Sequence, residues 1–403
     1  MYKFKTPICV AFLLLFFTGV FSIRGHESDL YRNFTKIILC ILILYTFLHW
    51  NELRNIQIRL KKIVRGLIVI PLLGFIPAYI LHGQGLFSSF LGSYVSIGYL
   101  LFFFLFLIKA KEQQIIKVLC ILGVCWSIIE LIQQFTYPTY WFTTRGDEFS
   151  SGIDIRNGIY RYNVIGREFG LVLLFYCFEK FMKNKKGKYL FGVLIGLIGI
   201  YLSVTRQVIA MSIICLFAGL FLMRKISFKS LLLIGIVSLL VYVNANTLFG
   251  EFIEMTEEVD EDYVRFWAYE FYGLTYNKGS ILAFLLGNGS PYPPSGYFRE
   301  IDNIEQSFGL WRADIGIVGM YSQYGIIYVG IILWFFYYVF KQRKYIDTYL
   351  LMYVLFMAGT SIMLHHFAYK LSIVITGCFI FYLIEQGINK NKKSLSNQNI
   401  HEI

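Results

Sequence analysis

The stretch YLFGVLIGLIGIYLSVTRQVIAMSIICLFAGLFLM, Tyr189 to Met223, carries a single charged residue, Arg206, near its middle. A bilayer core about 30 Å thick takes roughly 20 mostly apolar residues as one helix. The stretch is long enough for two such spans, and Arg206 marks the tight turn where they meet. The same ruler applied outward gives twelve segments: 7–23, 34–50, 64–82, 86–108, 117–135, 163–182, 189–205, 206–223, 230–249, 314–340, 347–364 and 367–385. The first follows Lys3 and Lys5 like a secretory signal. No small-x-small cleavage site follows Phe21, so it reads as a helix.

Composition agrees. Of 403 residues, 57% are hydrophobic and 15% charged, against about 45–50% and 25% in soluble domains. A single water-soluble enzyme, a disordered chain and a collagen-like chain are all excluded. The seven cysteines (9, 40, 120, 125, 177, 215 and 378) fall inside apolar runs and read as small hydrophobes. The fold class expected is an all-α polytopic membrane protein of about twelve transmembrane helices. Residues 1–249 hold the first nine, 250–313 one large extracytoplasmic loop with an interfacial helix, 314–385 the last three, and 386–403 a cytoplasmic tail.

The net charge of +12 is explained by orientation before nucleic acid is considered. Basic clusters at Arg54–Arg65, Lys109–Lys117, Lys180–Lys188, Arg224–Lys229, Lys341–Lys344 and Lys390–Lys393 alternate with poorly basic connections. The clustered side is cytoplasmic, which puts both termini inside. On this topology 10 of the 15 arginines lie outside but only 3 of the 22 lysines. A planar guanidinium suits bidentate contacts with phosphate or carboxylate. Chance, with pairing to the many outer acids, is the alternative reading.

Two outer connections are long, and long loops are often lids or binding loops. The first, Thr136 to Asn163, carries Arg145, Asp147, Glu148, Asp154, Arg156 and Arg161, and leads to Arg167 and Glu168. The second, Gly250 to Ala313, opens with acids, Glu257 to Asp262, that lack EF-hand spacing and suit a helix start. Next comes an aromatic helix, Tyr263–Tyr272, with Arg265 on it, suited to the membrane boundary; stacking on sugar rings is its other reading. Leu286-Gly-Asn-Gly-Ser-Pro-Tyr-Pro-Pro-Ser-Gly296 is a run of turn formers expected near the membrane surface. Ionisable residues at membrane depth are functional candidates. Arg206, Arg167, Glu168, Arg312, Asp314, His365, His366 and Glu130 collect toward the outer ends of their spans; snorkelling to headgroups is the alternative. No HExxH, Cys/His cluster, nucleotide cradle or Gly-x-Ser-x-Gly elbow is present.

Three local patterns carry a resemblance. They are Ser203-Val-Thr-Arg206, Arg265-Phe-Trp267 followed by Leu286-Gly-Asn-Gly289, and Asp314-Ile-Gly-Ile-Val-Gly-Met-Tyr-Ser-Gln-Tyr-Gly325. With the many spans and late outer loop, they make the chain resemble the Wzy-type O-antigen and capsular polysaccharide polymerases. These are related to O-antigen ligases and, more distantly, to SEDS peptidoglycan polymerases. Ligases place a His-Asn pair, and SEDS enzymes an Asp, where Asp314 stands before Gly325; the ligase pair is absent here. The outer Arg-x10-Gly motifs of some polymerases are absent as well.

The resemblance implies a GT-C-like glycosyltransferase in the bacterial inner membrane. It would join polyprenyl-diphosphate-linked (undecaprenyl-type) repeat units, without metal or cofactor, into capsule, O-antigen or exopolysaccharide. Implied partners are the lipid-linked glycan donor and acceptor, the bilayer, a chain-length regulator and a flippase, and no nucleic acid. Asp314 would be the catalytic base. Arg206, Arg265, Arg312 and Arg167 would bind the leaving diphosphate, with Arg161 and His365 completing the substrate site. An Arg312–Asp314 pair that only ties the loop to its helix is the structural alternative. A lipid-linked oligosaccharide flippase or transporter, and a ligase, are the functional ones.

Overall fold

A computed structural model of the protein describes residues 6–18, 29–139, 141–142, 154–156, 158–162, 164–223, 264–277, 279–368 and 370–401. These form α1 (Thr6–Thr18), α2 (Asp29–Leu48), α3 (Trp50–Asn55), α4 (Lys61–Leu73), α5 (Phe75–His82), α6 (Leu86–Gly92), α7 (Leu100–Leu107) and α8 (Glu112–Thr136). After a hairpin of β1 (Asp154–Arg156) and β2 (Ile159–Arg161) come α9 (Arg167–Asn184), α10 (Gly187–Leu202) and α11 (Arg206–Leu222). The remainder is α12 (Val264–Glu270), α13 (Ile281–Leu286), α14 (Gly296–Phe308), α15 (Gly316–Lys341), α16 (Thr348–Thr360) and α17 (Leu371–His401).

The chain is therefore mostly helical, with apolar helices able to span a membrane. Four stretches are long and apolar enough: Lys61–His82, Glu112–Thr136, Gly316–Lys341 and Leu371–Asn391. The α6–α7 pair makes a fifth if its two arms, bent by 49°, are one span. Shorter apolar helices at Pro7–Phe16, Ile37–Leu48, Gly187–Leu202, Arg206–Leu222 and Thr348–Thr360 coincide with other expected segments. The expected segment 230–249, the acids of Glu257–Asp262, and Arg145, Asp147 and Glu148 lie outside the described residues.

Three boundaries differ from the sequence reading. The sixth segment, expected from residue 163, becomes helical only at Arg167, after Gly166 with φ 129°, so Arg167 and Glu168 are its first two helical residues. The helix of the last segment runs through the expected tail to His401, since nothing after Glu385 forces the helix to end. The tenth segment is not one continuous helix, because Gly325 (φ 78°, ψ 176°) breaks α15.

The described part of the long loop is a folded unit. Ser280 and Ser295 cap α13 and α14, accepting from the amides of Ala283 and Phe298. Ala268, Tyr272, Tyr276, Tyr297, Ile301, Leu310 and Ile315 form its own core around Ala78 of α5. The aromatic helix is divided by this packing: Ala268 and Tyr272 are buried, while Phe266 and Trp267 stay exposed.

At the lysine-rich end, two buried carboxylates hold helix starts of distant segments. Glu385 accepts from the amides of Arg59 and Leu60 at 2.9 and 3.0 Å, just ahead of α4. Glu179 accepts from the Tyr349 amide at 2.6 Å, at the start of α16. Amides at a helix start have no partner within the helix, and a carboxylate there also meets the positive end of the dipole. A Gln at 385 offers one acceptor where two amides need one. Glu385→Gln is expected to cost about 1–3 kcal/mol, read as a lower unfolding temperature in detergent.

Candidate functional site

The site is built on the break in α15. The carbonyls of Ser322 and Gln323, freed by that break, accept from the amides of Asn288 and Gly289, each at 2.9 Å. This requires backbone against backbone. A Cβ on Gly287 would stand 2.3 Å from Gln323 C, and one on Gly325 2.2 Å from Leu285 O. Both residues also have positive φ, so glycine is needed twice over. The Asn288 side chain donates to Ser322 O at 3.0 Å and to Asn277 Oδ1 at 2.9 Å, and its own Oδ1 meets His82 Nε2 at 3.1 Å. Thus two separate sequence patterns, Leu286–Gly289 and Asp314–Gly325, are one structural feature. Within the turn-forming run Asn288 and Ser290 are buried, because the broken helix satisfies the run's backbone.

The half of α15 before the break leads back to Asp314, Arg312 and the connection between α16 and α17. That connection, Thr360 to His366, is met by segments that carry the sequence-selected arginines. The Ile317 amide donates to Ser361 O at 2.7 Å. Gln207, next to Arg206 in the first turn of α11, donates to Thr360 O at 3.3 Å. Tyr269 donates its hydroxyl to Ile362 O at 2.5 Å, and Arg265, one helical turn earlier, reaches Met363 Sδ at 4.0 Å. His366 Nε2 lies 2.6 Å from Thr360 Oγ1 and within the field of Arg167. His365 is buried beside the Arg312 backbone carbonyl. Residues from α9, α11, α12 and α15 therefore surround one short turn.

Arg312 is the most enclosed of these cations. Its ion pair is with Glu305 of α14, Nε to Oε1 at 3.5 Å, and its backbone amide donates to the same oxygen at 3.3 Å. Its guanidinium lies 5.8 Å from the Tyr272 ring centroid. Burial disfavours the cation, but Tyr297, Glu305, Tyr272 and Tyr276 outweigh it and hold Arg312 above its ordinary pKa. The same burial pushes the Tyr272, Tyr276 and Tyr297 phenols up. Behind them His82 stacks on Tyr297, with ring centroids 4.0 Å apart, and faces Glu300 at 3.7 Å.

Asp314 is half-buried two residues away. Among the described residues its carboxylate makes neither an ion pair nor a hydrogen bond. The Arg312–Asp314 pair is therefore absent, and Glu305 takes that place. Glu130 is fully buried in α8 and accepts from the Val164 amide at 3.2 Å. Arg161 ends the β-hairpin, opposite Asp154, and the hairpin sits on the end of α8 through the Gln134–Tyr160 pair. Arg161 thus belongs to the α8 side and not to the group named around the Thr360–His366 turn.

Glu305, His82 and Asn288 escaped the sequence reading. Glu305 sits on an amphipathic helix with no motif around it, and His82 only ends an apolar segment. Asn288 had a signal, since it is flanked by two glycines. Among the described residues no group of three His, Cys, Asp or Glu gathers as metal ligands. No protein-family model matches this sequence, and no curated protein matches it.

Burial, followed by the charge of Arg312 on one and Arg167 on the other, lowers the pKa values of His365 and His366 to about 3. Both rings stay neutral in the folded protein while they protonate near pH 6.5 when it unfolds. The unfolded state then binds the extra protons, so stability falls as pH drops below 6.5. The expected limiting slope is about 1.4 kcal/mol per pH unit for each histidine. Unfolding temperatures measured between pH 7 and pH 5 should decline in the parent protein and flatten in the His365→Gln/His366→Gln variant.

Proposed function

We propose that the protein is a membrane glycosyltransferase of the polysaccharide-polymerase type. It joins oligosaccharide repeat units carried on polyprenyl diphosphate. The observations that carry this reading are that Arg265 and the first turn of α11, which Arg206 opens, reach the Thr360–His366 turn, that the charges of Arg312 and Arg167 act on its two histidines, and that the Asp314 carboxylate, two residues from Arg312, has no partner among the described residues. In this reading the arginine-rich end faces outward and the lysine-rich end inward. The twelve-span, GT-C-like arrangement, with both termini in the cytoplasm of a bacterial inner membrane, belongs to the same proposal.

The chemistry follows from the charges. An acceptor sugar hydroxyl attacks C1 of the donor sugar, and its proton passes to Asp314 as general base. The bond from C1 to the diphosphate oxygen breaks, and polyprenyl diphosphate leaves with that electron pair. Negative charge grows on the leaving group, where fixed guanidinium groups in a water-poor setting stabilise it. Attack opposite the leaving group inverts C1. Glu305 and the three tyrosines hold Arg312 in place before substrate arrives, so that little reorganisation is needed.

A second reading, a lipid-linked oligosaccharide flippase, draws support from the break at Gly325, because transporters bind substrates at discontinuous helices. The position of the cations favours the enzyme, since they gather at helix ends and not at the break itself.

Asp314→Asn, at unchanged protein abundance in the membrane, is expected to lower polymerisation by about 10²- to 10⁴-fold. On a gel of the glycan this appears as single repeat units replacing the ladder of lengths. An unchanged ladder in that variant contradicts the role of Asp314. Repeat units retained on the cytoplasmic leaflet would instead support the flippase.

A further inference from the structure

At the other end of the bundle, α8, α9 and α10 leave a groove of about 420 Å³ between them. That volume lies within the range of about 300–1,000 Å³ that small-molecule sites occupy. The first half of α8, the middle of α9 and the first turns of α10 line it. Since Arg167 opens α9 beside His366, the groove lies at the end away from the candidate site. Its walls are apolar, and two of them, Ile121 and Phe191, are 50% and 64% exposed. Among the described residues, Lys117 and Lys188 are the only charged ones lining it. Neither lysine is in an ion pair among the described residues. Lys188 stands 5.1 Å from the centroid of the Tyr189 ring, an arrangement of cation and aromatic common at headgroup depth.

We infer that this groove binds an anionic phospholipid, one acyl chain lying between α8 and α10 and the phosphate held by Lys117 and Lys188. Three features select that occupant. The apolar walls exclude a free anion as the whole ligand. Two cations without a lining acid favour an anionic headgroup over a zwitterionic one, as in other basic pockets between membrane helices. From Lys117 the groove follows α8 to Cys125, about 12 Å at 1.5 Å per residue. One leaflet of a 30 Å core is about 15 Å deep, so the length suits an ordinary acyl chain better than a long polyprenyl one.

The test is thermal unfolding of the purified full chain in uncharged detergent. The added lipid is phosphatidylglycerol, phosphatidylcholine with the same chains, or undecaprenyl phosphate. The expected result is a rise in Tm with phosphatidylglycerol that exceeds the other two. Lys117→Ala/Lys188→Ala should lose that excess, while Lys341→Ala/Lys344→Ala, basic residues away from the groove, should keep it. Equal shifts with the two phospholipids overturn the inference, as does a larger shift with undecaprenyl phosphate. So does equal loss in both double variants, which indicates a diffuse basic field. Native mass spectrometry supplies a second readout through Val124→Trp, which fills the groove. Loss of retained phosphatidylglycerol supports the site, and full retention overturns it.

Discussion

The contact on which the site depends is the meeting of two backbones at Gly287 and Gly325. A helix interrupted inside an apolar bundle leaves carbonyls that cost free energy unless something donates to them. Here the donors come from the Gly-Asn-Gly turn some thirty-five residues earlier. The turn can enter only because neither side presents a Cβ. That single exchange fastens the loop unit to α15. It fixes the core of Tyr272, Tyr276 and Tyr297, and through it the walls around Arg312.

From that anchorage the chemistry collects at one place. The Thr360–His366 turn offers carbonyls and two neutral imidazoles, which ask for donors and tolerate nearby cations. The elements that answer come from far apart in sequence: the starts of α9 and α11, the loop helix α12, and the start of α15. Arginines on segments that meet at one turn repel one another. Glu305 offsets part of that charge at Arg312, and an incoming diphosphate would offset the rest. Asp314 makes no side-chain pair among the described residues, so its carboxylate does not brace the loop.

Much of the fold class was legible before any coordinates, because hydropathy accumulates residue by residue and needs no partner. Arg206 at the junction of two apolar runs and the break between Leu202 and Arg206 could be read in this way. Asp314 and Gly325 belong to one legible pattern, but the break in the helix does not show in it. Gly325 looks like any span glycine until the donor turn at Gly287–Gly289 is known. Glu305 was illegible for a similar reason, since its meaning lies in Arg312 across a change of direction at Gly309. The gathering at Thr360–His366 depends on contacts between residues about 40 to 200 apart in sequence, and no local spacing records those.

On the proposed function, this assembly makes a glycosidic bond instead of moving an intact lipid-linked glycan. The most direct measurement is a single-turnover reaction of the purified protein in lipid nanodiscs, where no second compartment exists to receive a transported substrate. With labelled polyprenyl-diphosphate-linked repeat units, the account predicts one free polyprenyl diphosphate released for each lengthened glycan. Bound but unchanged repeat units, with neither product formed, would contradict it.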